Sequence, residues 1–81
     1  MHVTVRLFAS HREAAGVREI VVDLPAGARA VDALAACRRT HPALPSTNSG
    51  VAFAINRAFA GPDTVLADGD ELAVLPPVAG G

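Results

Sequence analysis

HVTVRLF, residues 2–8, decides how the rest of the chain is read. Val3, Val5 and Leu7 alternate with His2, Thr4 and Arg6, the period of a strand with one buried face and one wet face. Such a strand needs partners to be stable in water. REIVVDLP, residues 18–25, supplies the first, being rich in β-branched residues and stopped by a proline, and is expected to run antiparallel to it. SHREAAG, residues 10–16, lies between them, with Ser10 placed as an N-cap, Glu13 three residues on as in a capping box, and Gly16 as a stop. It has room for about two turns of helix.

Residues 30–41, AVDALAACRRTH, predict the main helix. Asp32 lies in its first turn and Arg38 and Arg39 in its last, both favourable with the helix dipole. Val31, Leu34 and Ala35 are the expected apolar stripe, and Pro42 ends the element. PALPSTNSG, residues 42–50, reads as a mobile loop. VAFAIN, residues 51–56, alternates again with Val51, Phe53 and Ile55 inward; a tight turn at Asn56–Arg57 leads into the short AFA segment. DGDE, residues 68–71, is a turn, and ELAVL, residues 71–75, a last strand with Leu72 and Val74 inward. The sum is an α+β layer arrangement: a mixed sheet of about five strands on one main helix, with a short second helix. Residues 1–75 form one domain and 76–81 an extended tail, with no internal repeat.

Composition removes several functions. The chain has 81 residues and a net charge of −1, so no basic stripe invites nucleic acid. Its seven cations are all arginine. Without lysine there is no Schiff-base chemistry and no isopeptide chain on its own side chains. Cys37 is the only cysteine and has no disulfide partner within the chain, as in reduced compartments. No signal peptide opens the sequence and no apolar run approaches the ~20 residues of a membrane span, so a cytoplasmic protein without membrane contact is expected.

Side-chain chemistry is equally sparse. His2, His11 and His41 lack metal-ligand spacing and read as surface histidines. Cys37, on the flank of an alanine-rich helix, reads as a small semi-buried hydrophobe. Asp68, Asp70 and Glu71 surround a glycine, and turn chemistry explains them without an ion. AGARA is no phosphate loop. By subtraction the chain carries no active site of its own and binds no cofactor.

That leaves LPPVAGG, residues 75–81. Pro76 and Pro77 cannot donate ladder hydrogen bonds and force the chain off the sheet in extended form. Val78, Ala79, Gly80 and Gly81 then shrink in side chain. Six residues from Pro76 can project about 20 Å. A narrow end with an unhindered carboxylate suits insertion into another protein's active-site tunnel, where the carboxylate would be activated, for example as an acyl-adenylate.

With FAS-REAAG at residues 8–16 (His11 inserted), AINR at 54–57, DGDE at 68–71 and LPPVAGG at 75–81, the chain resembles the MoaD/ThiS family of ubiquitin-like sulfur carriers. Within it the MoaD type, the small subunit of molybdopterin synthase, fits best. The resemblance spans the whole chain and implies a β-grasp fold. It also implies that an E1-like adenylyltransferase and sulfurtransferase uses ATP to adenylate Gly81, and that sulfur displaces AMP to leave a 1-thioglycine. The tail would then enter the large subunit, in a heterotetramer of two small and two large subunits, and give its sulfur to the pyranopterin precursor of the molybdenum cofactor. The catalytic lysines would belong to the large subunit. Leu75 stands where the family often has an aromatic, and Phe59 where an aliphatic is common. Carriers serving cysteine or thiamine biosynthesis are the nearest rivals, and a ubiquitin-like conjugation tag is the rival from another class.

Strand parity adds a docking surface. Phe8 and Leu75 fall on the phase opposite the core, and Phe59 lies in a segment too short to bury it. Three large apolar groups facing water suggest a partner-binding patch beside the root of the tail. The resemblance points to the same positions for contact with the large subunit and the activating enzyme.

Overall fold

In the computed structural model, which describes residues 1–77, burial follows the alternation of the opening strand. In β1 (His2–Leu7) Val3 and Val5 are fully buried and Leu7 nearly so, while His2 is exposed. Strand β2 (Glu19–Asp23) runs antiparallel to it, with His2 opposite Asp23 and Arg6 opposite Glu19, and turns Ile20 and Val22 inward.

Helix α1 (Ala9–Ala15) connects them, but not through the expected capping box. Phe8, with extended backbone and no side-chain cap, stands at the N-cap, and Ala9 takes a left-handed φ of 47°. The chain turns from strand into helix two residues earlier than the sequence suggested, with the N-cap at Phe8 instead of Ser10. Ser10 is therefore already inside the helix, past the position from which its hydroxyl reaches the free amides. Gly16 closes the element as expected, at φ 76°, with its N–H on the Arg12 carbonyl at 2.9 Å.

Helix α2 (Ala30–Thr40) opens with the Asp32 carboxylate accepting the Arg29 N–H at 2.8 Å. Its buried stripe is Ala30, Ala33, Leu34 and Cys37, with Ala36 beside it, whereas Val31 and Ala35 are only half-buried. The expected stripe is thus rotated and shares only Leu34. Side-chain size explains the turn: alanines facing the sheet let the helix approach closely, and the bulkier Val31 packs at the margin.

Strand β5 (Glu71–Leu75) lies parallel to β1 and antiparallel to β3 (Ala52–Ile55), which pairs with β4 (Ala58–Ala60). The sheet order is β2-β1-β5-β3-β4. The β3–β4 turn places Asn56 at φ 50° and Arg57 at φ 72°, the pair of left-handed residues a tight hairpin needs. Leu24, Leu44 and Leu66 complete the core from the connecting segments, and Leu66 is held there by its N–H on the Ala28 carbonyl at 2.8 Å. This mixed sheet on one main helix is a β-grasp, the ubiquitin-like fold. Among the described residues no helix is long and apolar enough to cross a membrane. Val78, Ala79, Gly80 and Gly81 lie outside the described residues, and with them the expectations for the end of the tail.

Candidate functional site

Pleating gives the sheet a second face, turned away from α2, and the strand register fixes what it carries. Phe59 on β4 stands opposite Ala54 on β3, Ala54 opposite Ala73 on β5, and Ala73 opposite Arg6 on β1. In the next row Ala52 stands opposite Leu75. Phe8 follows Leu7, the partner of Val74, and so comes alongside Leu75. The three large residues marked from the sequence therefore share one face, joined by a floor of Ala52, Ala54 and Ala73. Phe59 is 85% exposed and Phe8 37%, while Leu75 is half-buried. The alanine floor went unnoticed in the sequence, although the parity that assigned Leu75 outward assigns Ala73 outward too.

Charge borders this apolar area. Arg6 pairs with Glu71 at 3.5 Å across β1 and β5, and its guanidinium lies 5.9 Å from the centre of the Phe8 ring. Both partners of the pair are about 40% exposed (42% and 40%), so the pair contributes little to stability and leaves its charges available at the rim. An apolar centre with a charged rim is the anatomy of a protein-docking surface.

The same face leads to the tail. The β3–β5 ladder ends at Ala52 and Leu75, and Pro76 and Pro77 come next, without N–H donors to extend it. Pro76 is half-buried and Pro77 exposed.

The aspartate carboxylates of the DGDE turn are occupied by structure. Asp68 accepts the His2 amide at 2.7 Å, and Asp70 accepts Ala67 N–H at 2.8 Å and the Asn56 side-chain amide at 2.9 Å. Asn56 in turn accepts the Glu71 N–H at 3.0 Å, tying the β3–β4 turn to the start of β5. The DGDE and AINR motifs thus lock two turns together. No cluster of metal-ligating type occurs among the described residues.

Two expectations need correction. Cys37 is fully buried, not semi-buried, and burial pushes its thiol up to about 11. The thiolate that nucleophilic or persulfide chemistry requires is therefore scarce. His11 is not a surface residue: it is 2% exposed, and neither ring nitrogen has a hydrogen-bond partner among the described residues. Burial, and then the nearby Arg38 charge, lower its pKa and hold it neutral. The missed signal is spacing: His11, Ala14 and Ala15 stand at i, i+3 and i+4, and both alanines pack against the core. His2 is exposed and His41 half-buried, the latter with Nδ1 2.8 Å from the Thr40 hydroxyl.

The profile of the ThiS family matches residues 5–81. The chain is 42% identical over 83 residues to the molybdopterin synthase sulfur carrier subunit of Chlamydomonas reinhardtii, covering all of both chains. In structure it is similar to small archaeal modifier protein 1 of Haloferax volcanii, with a TM-score of 0.89, 36% identity and full coverage of both chains. It is also similar to a chain in the protein–protein complex of subunits 1 and 2 of molybdopterin-converting factor from Helicobacter pylori, with a TM-score of 0.64, 29% identity and full coverage of both.

Proposed function

The chain belongs to the ThiS family as a ubiquitin-like sulfur carrier of the MoaD/ThiS type, and on that premise we propose that it carries sulfur as a thiocarboxylate at Gly81 for assembly of the molybdenum cofactor. The observation that carries the pathway is the full-length similarity to a molybdopterin synthase sulfur carrier subunit. A carboxylate oxygen of Gly81 attacks the α-phosphate of ATP on an E1-like partner, and pyrophosphate leaves. A sulfide equivalent then attacks the acyl carbon and AMP leaves, giving 1-thioglycine. In the large subunit of molybdopterin synthase the thiocarboxylate sulfur attacks a carbon of the pyranopterin precursor, the carbon–oxygen bond at that carbon breaks with the oxygen leaving, and a thioester joins the two. Water then cleaves the acyl–sulfur bond and restores the carboxylate. One round delivers one sulfur, so a dithiolene needs two, which suits an assembly of two small and two large subunits. The chain acts as the sulfur-donating subunit, with the catalytic side chains on its partner. Phe8, Phe59 and Leu75 dock the body while Pro76, Pro77, Val78, Ala79 and Gly80 lead Gly81 into the partner's site.

Intact mass after co-expression with an E1-like enzyme tests this: a gain of about 16 Da, sulfur for oxygen, is the expected product. The similarity to a small archaeal modifier protein favours a second use of the same adenylate, attack by a lysine amine of another protein. That use would appear as a covalent adduct instead of a 16 Da gain. An unmodified mass beside an active enzyme would remove both.

A further inference from the structure

The tail leaves the sheet beside a loop that is built, not loose. Arg38, on the last turn of α2, donates from Nε to the Pro45 carbonyl at 2.8 Å. From Nη2 it donates to the Thr47 carbonyl at 3.0 Å and to Asn48 Oδ1 at 2.7 Å. Two further bonds tighten the strap: Ser49 N–H to Thr47 Oγ1 at 3.0 Å and Val51 N–H to the Asn48 carbonyl at 3.1 Å. Leu44 anchors its other end in the core at 4% exposure. The strap ends at Gly50, two residues before the first residue of β3. Continuing the antiparallel register of Ala52 opposite Leu75 brings Val51 opposite Pro76 and Gly50 opposite Pro77.

Gly50 has no room for a side chain. Its φ is +75°, and a Cβ there would sit 2.8 Å from Pro77 Cβ, inside any real carbon–carbon contact. Gly16, Gly27 and Gly69 also have positive φ, yet a Cβ at any of them would meet nothing within 4 Å. Those three answer to backbone conformation alone; Gly50 answers also to the first residues of the tail. Pro77 has no N–H to donate to the ladder, so its van der Waals contact with residue 50 takes a larger part in setting its direction.

We infer that Gly50 is a positioning residue for the terminal chemistry: the Arg38-braced strap presents a bare backbone against which Pro77 seats, and this fixes the angle at which the tail leaves the docked body. The inference rests on the sulfur-carrier reading above. A body docked on its apolar face sets the tail's origin, and the exit angle then decides whether the carboxylate meets the reacting phosphate. Small misplacements of a reacting group cost large factors in rate.

The test uses the full chain and an E1-like adenylating enzyme chosen because it activates the wild type, with pyrophosphate release as the readout. Gly50→Ala is expected to lower kcat about tenfold. Affinity for the same enzyme without ATP, by calorimetric titration, should stay within about twofold, since the docking face is untouched. Gly50→Asn tolerates the left-handed backbone but carries the same Cβ, so it should fall as far as Gly50→Ala. Pro77→Gly removes the opposing Cβ. In Gly50→Ala/Pro77→Gly the substitution at residue 50 should therefore add little to the loss from Pro77→Gly alone. Normal kcat in Gly50→Asn, or full additivity in the double variant, would overturn the inference and leave a purely local backbone effect. Failure of every adenylating enzyme to activate the wild type would instead overturn the sulfur-carrier reading.

Discussion

Cys37 is the one side chain whose element invites a sulfur-carrying role, and its surroundings argue against it. The thiol is fully buried and held near 11, so it is neither reachable nor ionised at neutral pH. Cys37→Ala should keep full sulfur transfer while losing about 1–2 kcal/mol of stability to the small void it leaves. Loss of activity in a folded variant would reinstate a persulfide on this residue. His11 supports a second expectation. Its folded pKa lies below the ordinary 6.5, so beneath that pH the unfolded chain binds a proton that the folded one refuses. Stability conferred by the neutral ring is thus complete above about pH 6.5 and falls with pH until the folded pKa is passed, at about 1.4 kcal/mol per unit of depression. Denaturant melts between pH 7 and 5 should show a steeper decline for wild type than for His11→Leu; parallel curves would place the acid sensitivity elsewhere. The two residues mislead in the sequence in different ways. Cys37 reads there as a hydrophobe and only its depth is underestimated, whereas His11 reads as a surface residue although its spacing places it with Ala14 and Ala15 on the inward side of its helix.

Strands were more legible than helices, and the difference is geometric. A period of two leaves only two choices, so Val3, Val5, Leu7, Leu72 and Val74 were placed correctly as soon as one was. A helix can rotate about its axis, and in α2 the abundance of alanine left the angle to be settled by how closely it lies on the sheet. The same parity placed Phe8 and Leu75 outward, and the shortness of its segment placed Phe59 there, but such reasoning gives side, not depth. Phe59 is 85% exposed on the last strand of the sheet, while Leu75 is half-buried between neighbouring strands. Their substitutions should therefore separate. Phe59→Ala is expected to weaken binding to the large subunit of molybdopterin synthase tenfold or more, on the scale of about 1.4 kcal/mol per decade. Its effect on stability should stay below about 1 kcal/mol. Leu75→Ala should weaken binding comparably but also cost roughly 1–2 kcal/mol of stability through its buried half. Titration calorimetry beside thermal melts decides it. Unchanged affinity for Phe59→Ala would place the docking surface elsewhere.

At the scale of the whole molecule, the fold and the chemistry proposed for Gly81 occupy separate parts of the chain. The β5 ladder closes at Leu75, and the core residues Leu34, Leu72, Val3 and Val74 are buried by elements that end before the proline pair. This separation made the function class legible: with no reactive side-chain constellation, the terminal carboxylate was the remaining candidate, and LPPVAGG marked it. The pathway was not legible in the same way. Under the activation proposed for Gly81, carriers of different pathways would share one terminal chemistry, and the choice of acceptor would be set by partner surfaces that this chain does not contain. The separation has a measurable consequence. Deleting Gly81, or adding one residue beyond it, should abolish sulfur transfer, because the acyl carbon is then one residue out of place in an in-line reaction. Neither change touches the ladder, the helices or the buried cluster, so the melting temperature should stay within about one degree of wild type. The docking face is also intact, so both variants should still bind the large subunit and compete with wild type for it, behaving as inhibitors of dithiolene formation. Activity of the extended chain without trimming would mean that its terminal carboxylate is not the sulfur-bearing group. Loss of binding together with activity would mean that the tail, and not the face formed by Phe8, Phe59 and Leu75, supplies the affinity.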